Sequence, residues 1–301
     1  MFFKDIAPDE QPNDTYLGFM VLRPGGLVPS AGLHVGQVER VFASAGALPV
    51  VVPKTQDNAR LFFRQLFAYV ESGFPVFAEI GRIEHAISVV GHTGFRAASA
   101  RSAPRHFACD MVNELLVMDD HFMPYRAISQ RASSHIDYGF EDISTFVVPL
   151  PDKIHFSAKN ADRLAVTLAT EYRFGFNHAA LGQPVLRYFL TTSAQLRSFM
   201  HEQRSAFEPE FMAAVMQLVL PKFVWMIEIA SLAQWNNGII ATRVVADATA
   251  SPAEELPIFL MHDAHRVFVW ERGGAGGRRY MSPILSGSGP LSRMIGNLSI
   301  H

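Results

Sequence analysis

Three short segments in the first half of the chain determine the fold that the sequence predicts. They are Ser72-Gly-Phe-Pro-Val-Phe-Ala-Glu-Ile80, Glu84-His-Ala-Ile-Ser-Val-Val-Gly91 and Leu115-Leu-Val-Met-Asp-Asp120. Each contains an apolar run of strand length, and the first follows a Ser-Gly stop at the end of an amphipathic helix. His85 begins the second predicted strand, and Asp119 follows the third. The sequence therefore predicts that these two side chains meet side by side at neighbouring strand ends.

A His–Asp pair in this arrangement has a defined chemical use. The carboxylate accepts a hydrogen bond from one ring nitrogen and fixes the tautomer, while the other nitrogen faces a nucleophile. This is the base-and-orienter half of a Cys-His-Asp triad. We expect His85 and Asp119 to approach within about 2.6–3.2 Å. The alternative interpretation of His85 is a core histidine whose hydrogen bonds are satisfied.

The three segments resemble the motifs of papain-like cysteine peptidases, in particular the bacterial double-glycine leader peptidases. SGxPVxAxI matches Ser72–Ile80, HAxxVVG matches His85–Gly91, and V-x-D matches Val117–Asp119. The match covers residues 33–125, roughly a third of the chain. The resemblance implies a papain-like antiparallel sheet with packed helices, with His85 and Asp119 as catalytic residues. The remainder of the chain is similar to uncharacterised bacterial proteins that append a second domain.

The nucleophile of that family has no counterpart here. In the family, a cysteine near the start of a helix precedes the histidine, whereas the single cysteine of this chain, Cys109, follows His85. Cys109 is expected on a strand as a structural residue. Ser30 precedes a predicted helix and is interpreted as its N-cap rather than as a replacement nucleophile. The Cys-bearing helix is thus interpreted as missing, either lost or left in an upstream segment.

The pattern of elements along the chain predicts an α+β protein in two regions. Residues 1–150 are expected to form a reduced papain-like domain, and residues 151–301 a second α+β domain of unknown role. Tyr16–Leu22 is expected to be a strand, and residues 126–144 a loop. The Asn236-Asn237-Gly238 sequence predicts a hairpin turn between two long strands.

Composition excludes several classes of protein. The chain has 301 residues, of which 49% are hydrophobic and 18% are charged, so it can form a large core. A net charge of −2 argues against nucleic acid as a partner, and no segment is apolar enough to span a membrane. One cysteine allows no internal disulfide and fits a cytoplasmic location.

No cofactor and no metal are expected from the sequence. The glycine-rich segment 273–277 lacks the residues of a phosphate loop. Several histidines lie near Asp119 and Asp120, but their spacing matches no zinc signature, and they are interpreted as solvated loop residues. The same holds for His262 and His265, which are expected in a turn. The histidines concerned are His85, His92, His106, His121 and His135.

Three functions remain open at this point. The first is a degenerate cysteine-peptidase relative that binds a peptide or protein segment without cleaving it. The second is an active thiol peptidase or acyl-transfer hydrolase whose nucleophile is unidentified or lies in a missing upstream segment. The third is a structural or interaction module that keeps the scaffold alone. The sequence names no substrate and no oligomeric state.

Overall fold

The computed structural model describes most of the chain between residues 35 and 294. The described residues are 35–99, 103–122, 125–132, 134, 137–172, 175–270, 278–281 and 291–294. The predicted strand Tyr16–Leu22, the predicted N-cap Ser30 and the glycine-rich segment 273–277 lie outside these residues. The α+β class predicted from the sequence is confirmed, because the described residues form helices and largely antiparallel sheets.

Among the described residues, the first sheet contains six antiparallel strands. They are β1 (Leu48–Pro53), β2 (Val76–Ile80), β3 (His85–His92), β5 (Glu114–Met118), β6 (Arg126–Ser129) and β7 (Ile143–Leu150). Their order across the sheet is β1-β7-β2-β3-β5-β6. Alternate residues of β2 and β3 are buried, as expected for strands with one face on a core. Helices α1 (Val35–Ser44) and α2 (Ala59–Glu71) precede and follow β1.

In the described part of the chain, the second sheet contains seven strands, one of which comes from the first half of the chain. They are β4 (His106–Phe107), β8 (Val185–Thr192), β9 (Phe223–Ala230), β11 (Thr242–Asp247), β12 (Ile258–His262), β13 (Val267–Trp270) and β14 (Arg278–Met281). Their order is β14-β13-β12-β11-β9-β8-β4. The β4–β8 pair is parallel. A separate two-stranded pair joins β10 (Ile239–Ile240) to β15 (Leu291–Ser292).

Four further helices accompany the second sheet: α3 (Ala158–Thr170), α4 (Ser193–Glu202), α5 (Pro209–Gln217) and α6 (Leu232–Asn236). Helix α2 contacts β3 of the first sheet and β8 of the second, and it also packs on α3. The phenol of Tyr69 on α2 accepts a hydrogen bond from the backbone N–H of Ala158 at 3.1 Å. The two sheets therefore share one apolar core through α2.

Two details differ from the sequence-based expectations. The segment 126–144 includes strand β6 at the edge of the first sheet and the start of β7, where a loop was expected. The Asn236–Gly238 sequence does not make a hairpin turn, because it ends helix α6 instead. Ser231 caps that helix by accepting from the N–H of Gln234, and Gly238 adopts φ 70°. Strands β9 and β11 do pair, but helix α6 rather than a tight turn lies between them.

A buried charge network joins α2 to the second sheet. Arg187, Glu228 and Arg243 lie opposite one another on β8, β9 and β11. Arg187 Nη1 donates to Glu228 Oε2 at 2.7 Å and Arg187 Nε donates to Glu71 Oε1 at 3.0 Å. His92 Nε2 lies 2.6 Å from the other oxygen of Glu71. Burial opposes ionisation of Glu71, but the charge of Arg187 and the His92 hydrogen bond outweigh it and lower its pKa to about 2.

Candidate functional site

The structure brings His85 and Asp119 together. A four-residue turn from β2 ends at Glu84, whose φ of 50° is rare for a residue with a side chain, and β3 then begins at His85. Strand β5 pairs with β3, and Asp119 follows its last residue, Met118. His85 Nε2 lies 2.9 Å from Asp119 Oδ1, which confirms the predicted distance.

The Asp119 carboxylate is buried and accepts hydrogen bonds at both oxygens. Oδ1 accepts from the backbone N–H of His121 at 2.9 Å as well as from His85, and Oδ2 accepts from the phenol of Tyr138. Burial opposes ionisation, but these hydrogen bonds outweigh it and lower the pKa of Asp119. Burial and the neighbouring carboxylate raise the pKa of Tyr138, so the phenol keeps its proton and donates.

The two nitrogens of the His85 imidazole differ in their hydrogen bonding. Nε2 faces Asp119, and among the described residues no hydrogen-bond partner lies at Nδ1. The ring of His121 stacks on that of His85, with centroids 4.5 Å apart and planes 18° apart. The His85 side chain is 15% exposed. Nδ1 is therefore the nitrogen that a nucleophile would meet.

Exposed apolar side chains border this pair in the sequence. Ile83 precedes His85, Met118 precedes Asp119, and Phe122 and Tyr125 follow in the segment leading to β6; all four are exposed. The guanidinium of Arg126, which is ion-paired with Asp137, lies 4.1 Å from the Phe122 ring centroid. Exposed apolar side chains therefore lie close to the pair along the chain, and exposed apolar surface is common at binding sites.

Cys109 is not on a strand as expected. It lies in a one-turn 3-10 helix, Ala108–Met111, between β4 and β5. Burial and the nearby charge of Asp110 raise the pKa of its thiol well above the usual value, against the opposing effect of Arg64. The thiol therefore stays protonated at neutral pH, and a protonated thiol is a poor nucleophile.

We expect Cys109 to react slowly with iodoacetamide in the folded protein at neutral pH, because alkylation requires the thiolate. Intact-mass spectrometry after a short incubation should show unmodified chain, and the same incubation in urea should show one adduct. A vinyl-sulfone probe should also leave the folded chain unlabelled. A rapid adduct with either reagent, lost in His85→Ala, would contradict a structural role for this cysteine.

The remaining candidate histidines lie in different environments. His106 is buried beside Gln183, and His92 belongs to the charge network, so the interpretation as solvated loop residues is wrong for both. His262 lies in strand β12 with no exposed surface rather than in a turn, while His265 does lie in the turn that follows. His135 lies outside the described residues.

One group of residues converges at the His–Asp pair in a way that the sequence did not predict. Single ligand-type atoms of His85, Asp119, Asp120 and His121 all lie within 4.8 Å of one another. Tyr138 is the other member of the site that sequence reasoning missed. It lies in a polar segment 19 residues beyond Asp119, where no motif marks it.

Comparison with protein-family models, with curated proteins and with solved structures finds no match for this chain. Within the part of the chain that the structure describes, no helix has the length and apolar character that crossing a membrane requires. What the site does must therefore follow from its own geometry.

Proposed function

We propose that the chain is a non-catalytic relative of papain-like cysteine peptidases that binds an extended apolar peptide segment at the β6 edge of the sheet that carries His85 and Asp119. The observation that carries this proposal is the hydrogen-bonded pair, 2.9 Å apart, placed on neighbouring strand ends as in a base-and-orienter site. The antiparallel first sheet and helix α2 support the papain-like part of the proposal.

The chemistry of the chain argues against thiol catalysis. Cys109 is its only cysteine, and burial keeps the thiol protonated. The charged groups that act on it are Asp110, Arg64 and Asp162 rather than the His–Asp pair. Without a thiolate, His85 can orient only a water molecule, which is a weaker nucleophile than a thiolate.

The edge of the first sheet supports binding of an extended segment. Within the described residues, β6 pairs only with β5, so the other side of β6 offers backbone donors and acceptors. An added strand would satisfy these groups and would lie beside Phe122 and Tyr125. Side chains of the added segment that point toward this surface would bury apolar area there.

A short fluorescein-labelled peptide of alternating leucine and serine, ending in Gly-Gly, is a suitable probe. Its ending follows the substrate class that the family resemblance implies. We expect fluorescence anisotropy to show binding to the whole chain, and mass spectrometry to show no cleavage. Phe122→Ser should weaken binding by about tenfold, because it removes apolar contact worth about 1.5 kcal/mol.

Val219→Ser is the matched control, since Val219 is 91% exposed and lies in the segment before β9. This variant should bind the peptide as the unsubstituted chain does. Absence of binding by the unsubstituted chain would contradict the proposal and favour a structural module. Equal weakening by both variants would show that the apolar border of the site plays no specific part.

The open Nδ1 of His85 favours one second candidate, a hydrolase with a hydroxyl nucleophile. Ser30, outside the described residues, is the position at which the sequence raises this possibility. Cleavage of the labelled peptide, abolished by both Ser30→Ala and His85→Ala, would establish the hydrolase in place of the binding protein.

A further inference from the structure

We propose that His85, Asp119, Asp120 and His121 form a binding site for a divalent transition-metal ion, for which zinc is the best fit. This inference goes beyond the proposed peptide binding and does not depend on it. It rests on the convergence of two imidazoles and two carboxylates from β3 and from the segment after β5.

The distances between the ligand atoms suit a tetrahedral site. His85 Nε2 lies 2.9 Å from Asp119 Oδ1 and 3.9 Å from Asp120 Oδ1, and His121 Nε2 lies 4.0 Å from the same Asp120 oxygen. Zinc bonded to nitrogen and oxygen at about 2.0–2.2 Å needs ligand atoms about 3.3–3.6 Å apart. The observed separations lie on both sides of that range, so small side-chain rotations complete the site.

Two of the four ligand side chains have room to move toward a bound ion. The side chains of Asp120 and His121 are 82% and 69% exposed, so neither is confined by packing. Asp119, in contrast, is held by the His121 N–H and by the Tyr138 phenol. These hydrogen bonds orient one ligand in advance, as partners behind the ligands do in known metal sites.

The choice of metal follows from the ligand atoms. Imidazole nitrogen favours zinc and other transition metals, whereas magnesium and calcium take oxygen ligands almost exclusively. The two carboxylates balance the charge of a divalent cation. A metal bond at Nε2 of His85 requires the tautomer that carries its proton on Nδ1. The proton that Nε2 donates to Asp119 in the unbound site is therefore replaced by one on Nδ1, and the ring stays neutral.

Metal binding and the His85–Asp119 hydrogen bond are mutually exclusive under this assignment, because both use Nε2 of His85 and Oδ1 of Asp119. The bound ion would therefore replace the base-and-orienter arrangement with a closed cation site. With Nε2 bound to the metal and Nδ1 protonated, His85 cannot act as a base.

Isothermal titration of the whole chain with zinc chloride, without peptide, tests the assignment. We expect one equivalent to bind, and His121→Ala and Asp120→Asn each to weaken binding by at least about tenfold. Both residues are exposed, so neither change should prevent folding, which circular dichroism would verify. His201→Ala, at an exposed position in the last turn of α4, is the matched control and should leave binding unchanged.

Absence of zinc binding by the unsubstituted chain would overturn the proposal, as would equal affinity in His121→Ala. Magnesium chloride should produce no binding, and affinity equal to that for zinc would overturn the choice of a transition metal. Adding a chelator to the peptide assay excludes metal from it, so failure of either proposal leaves the result of the other independent.

Discussion

Replacing Arg187 with methionine is expected to lower the free energy of unfolding by about 3–5 kcal/mol. Arg187 is the only described cation that contacts both Glu71 and Glu228, and all three side chains are at most 4% exposed. Its removal leaves two buried carboxylates with reduced compensation, and the low dielectric of the core makes that costly. Urea denaturation at neutral pH, followed by far-UV circular dichroism, measures the loss.

Arg131→Met is the matched control for this experiment. Arg131 pairs with Glu141 at 3.2 Å, but its side chain is 84% exposed, so the pair is screened by water. Its loss should change the free energy of unfolding by less than about 1 kcal/mol. Equal effects of the two substitutions would mean that burial of the Arg187 network adds nothing to its contribution.

Below neutral pH, His262 is expected to destabilise the fold by about 2 kcal/mol between pH 6.5 and pH 4.5. Burial, together with the nearby charge of Arg243, lowers the pKa of His262 to about 3, from about 6.5 when unfolded. In this interval the unfolded chain takes up a proton that the folded chain does not. Each pH unit is worth about 1.4 kcal/mol, and the first unit contributes only in part. Stability is therefore lost as the pH falls.

His262→Leu should remove this part of the pH dependence, measured by urea denaturation at both pH values. Burial also lowers the pKa of His178, which therefore acts in the same direction in every variant. Glu71, with a pKa of about 2, contributes stability that is lost mainly below pH 4.5. His201→Leu removes an exposed histidine as the control. An unchanged pH dependence in His262→Leu would contradict the assignment.

The predictable part of the fold lies where local pattern and tertiary packing agree. Strands β2 and β3 are predicted from apolar runs of strand length, and the structure contains both, with alternate residues buried. The meeting of His85 and Asp119 was also predictable, because adjacent antiparallel strands bring a strand start beside a strand end.

The failures have identifiable physical causes. Glycine with positive φ both ends helices and forms hairpin turns, so Gly238 alone did not distinguish them, although the Ser231 and Gln234 capping box favours the helix. Strand β6 has only four residues, of which Ile128 alone is buried, and such a short edge strand resembled a loop.

The members of the site beyond the pair depend on chain geometry that no local pattern records. Tyr138 reaches Asp119 across the segment that contains β6, and His121 folds back onto the ring of His85. Zinc signatures are defined by sequence spacing, whereas here the possible ligands converge from two different strand ends. The sequence therefore predicted the core of the site and missed what surrounds it.

Strand β4 limits how this chain can be divided. His106 and Phe107 occupy the edge of a sheet otherwise built from residues beyond 184, and Glu71 finds its buried cation on that same sheet. Cleavage after residue 150 would leave one fragment with an uncompensated anion and the other with an uncovered strand edge, which invites self-association. Recombination could exchange either half only for a replacement whose buried charge is opposite to that of the half that remains. The replacement would also need a strand edge that pairs with the edge of the remaining half.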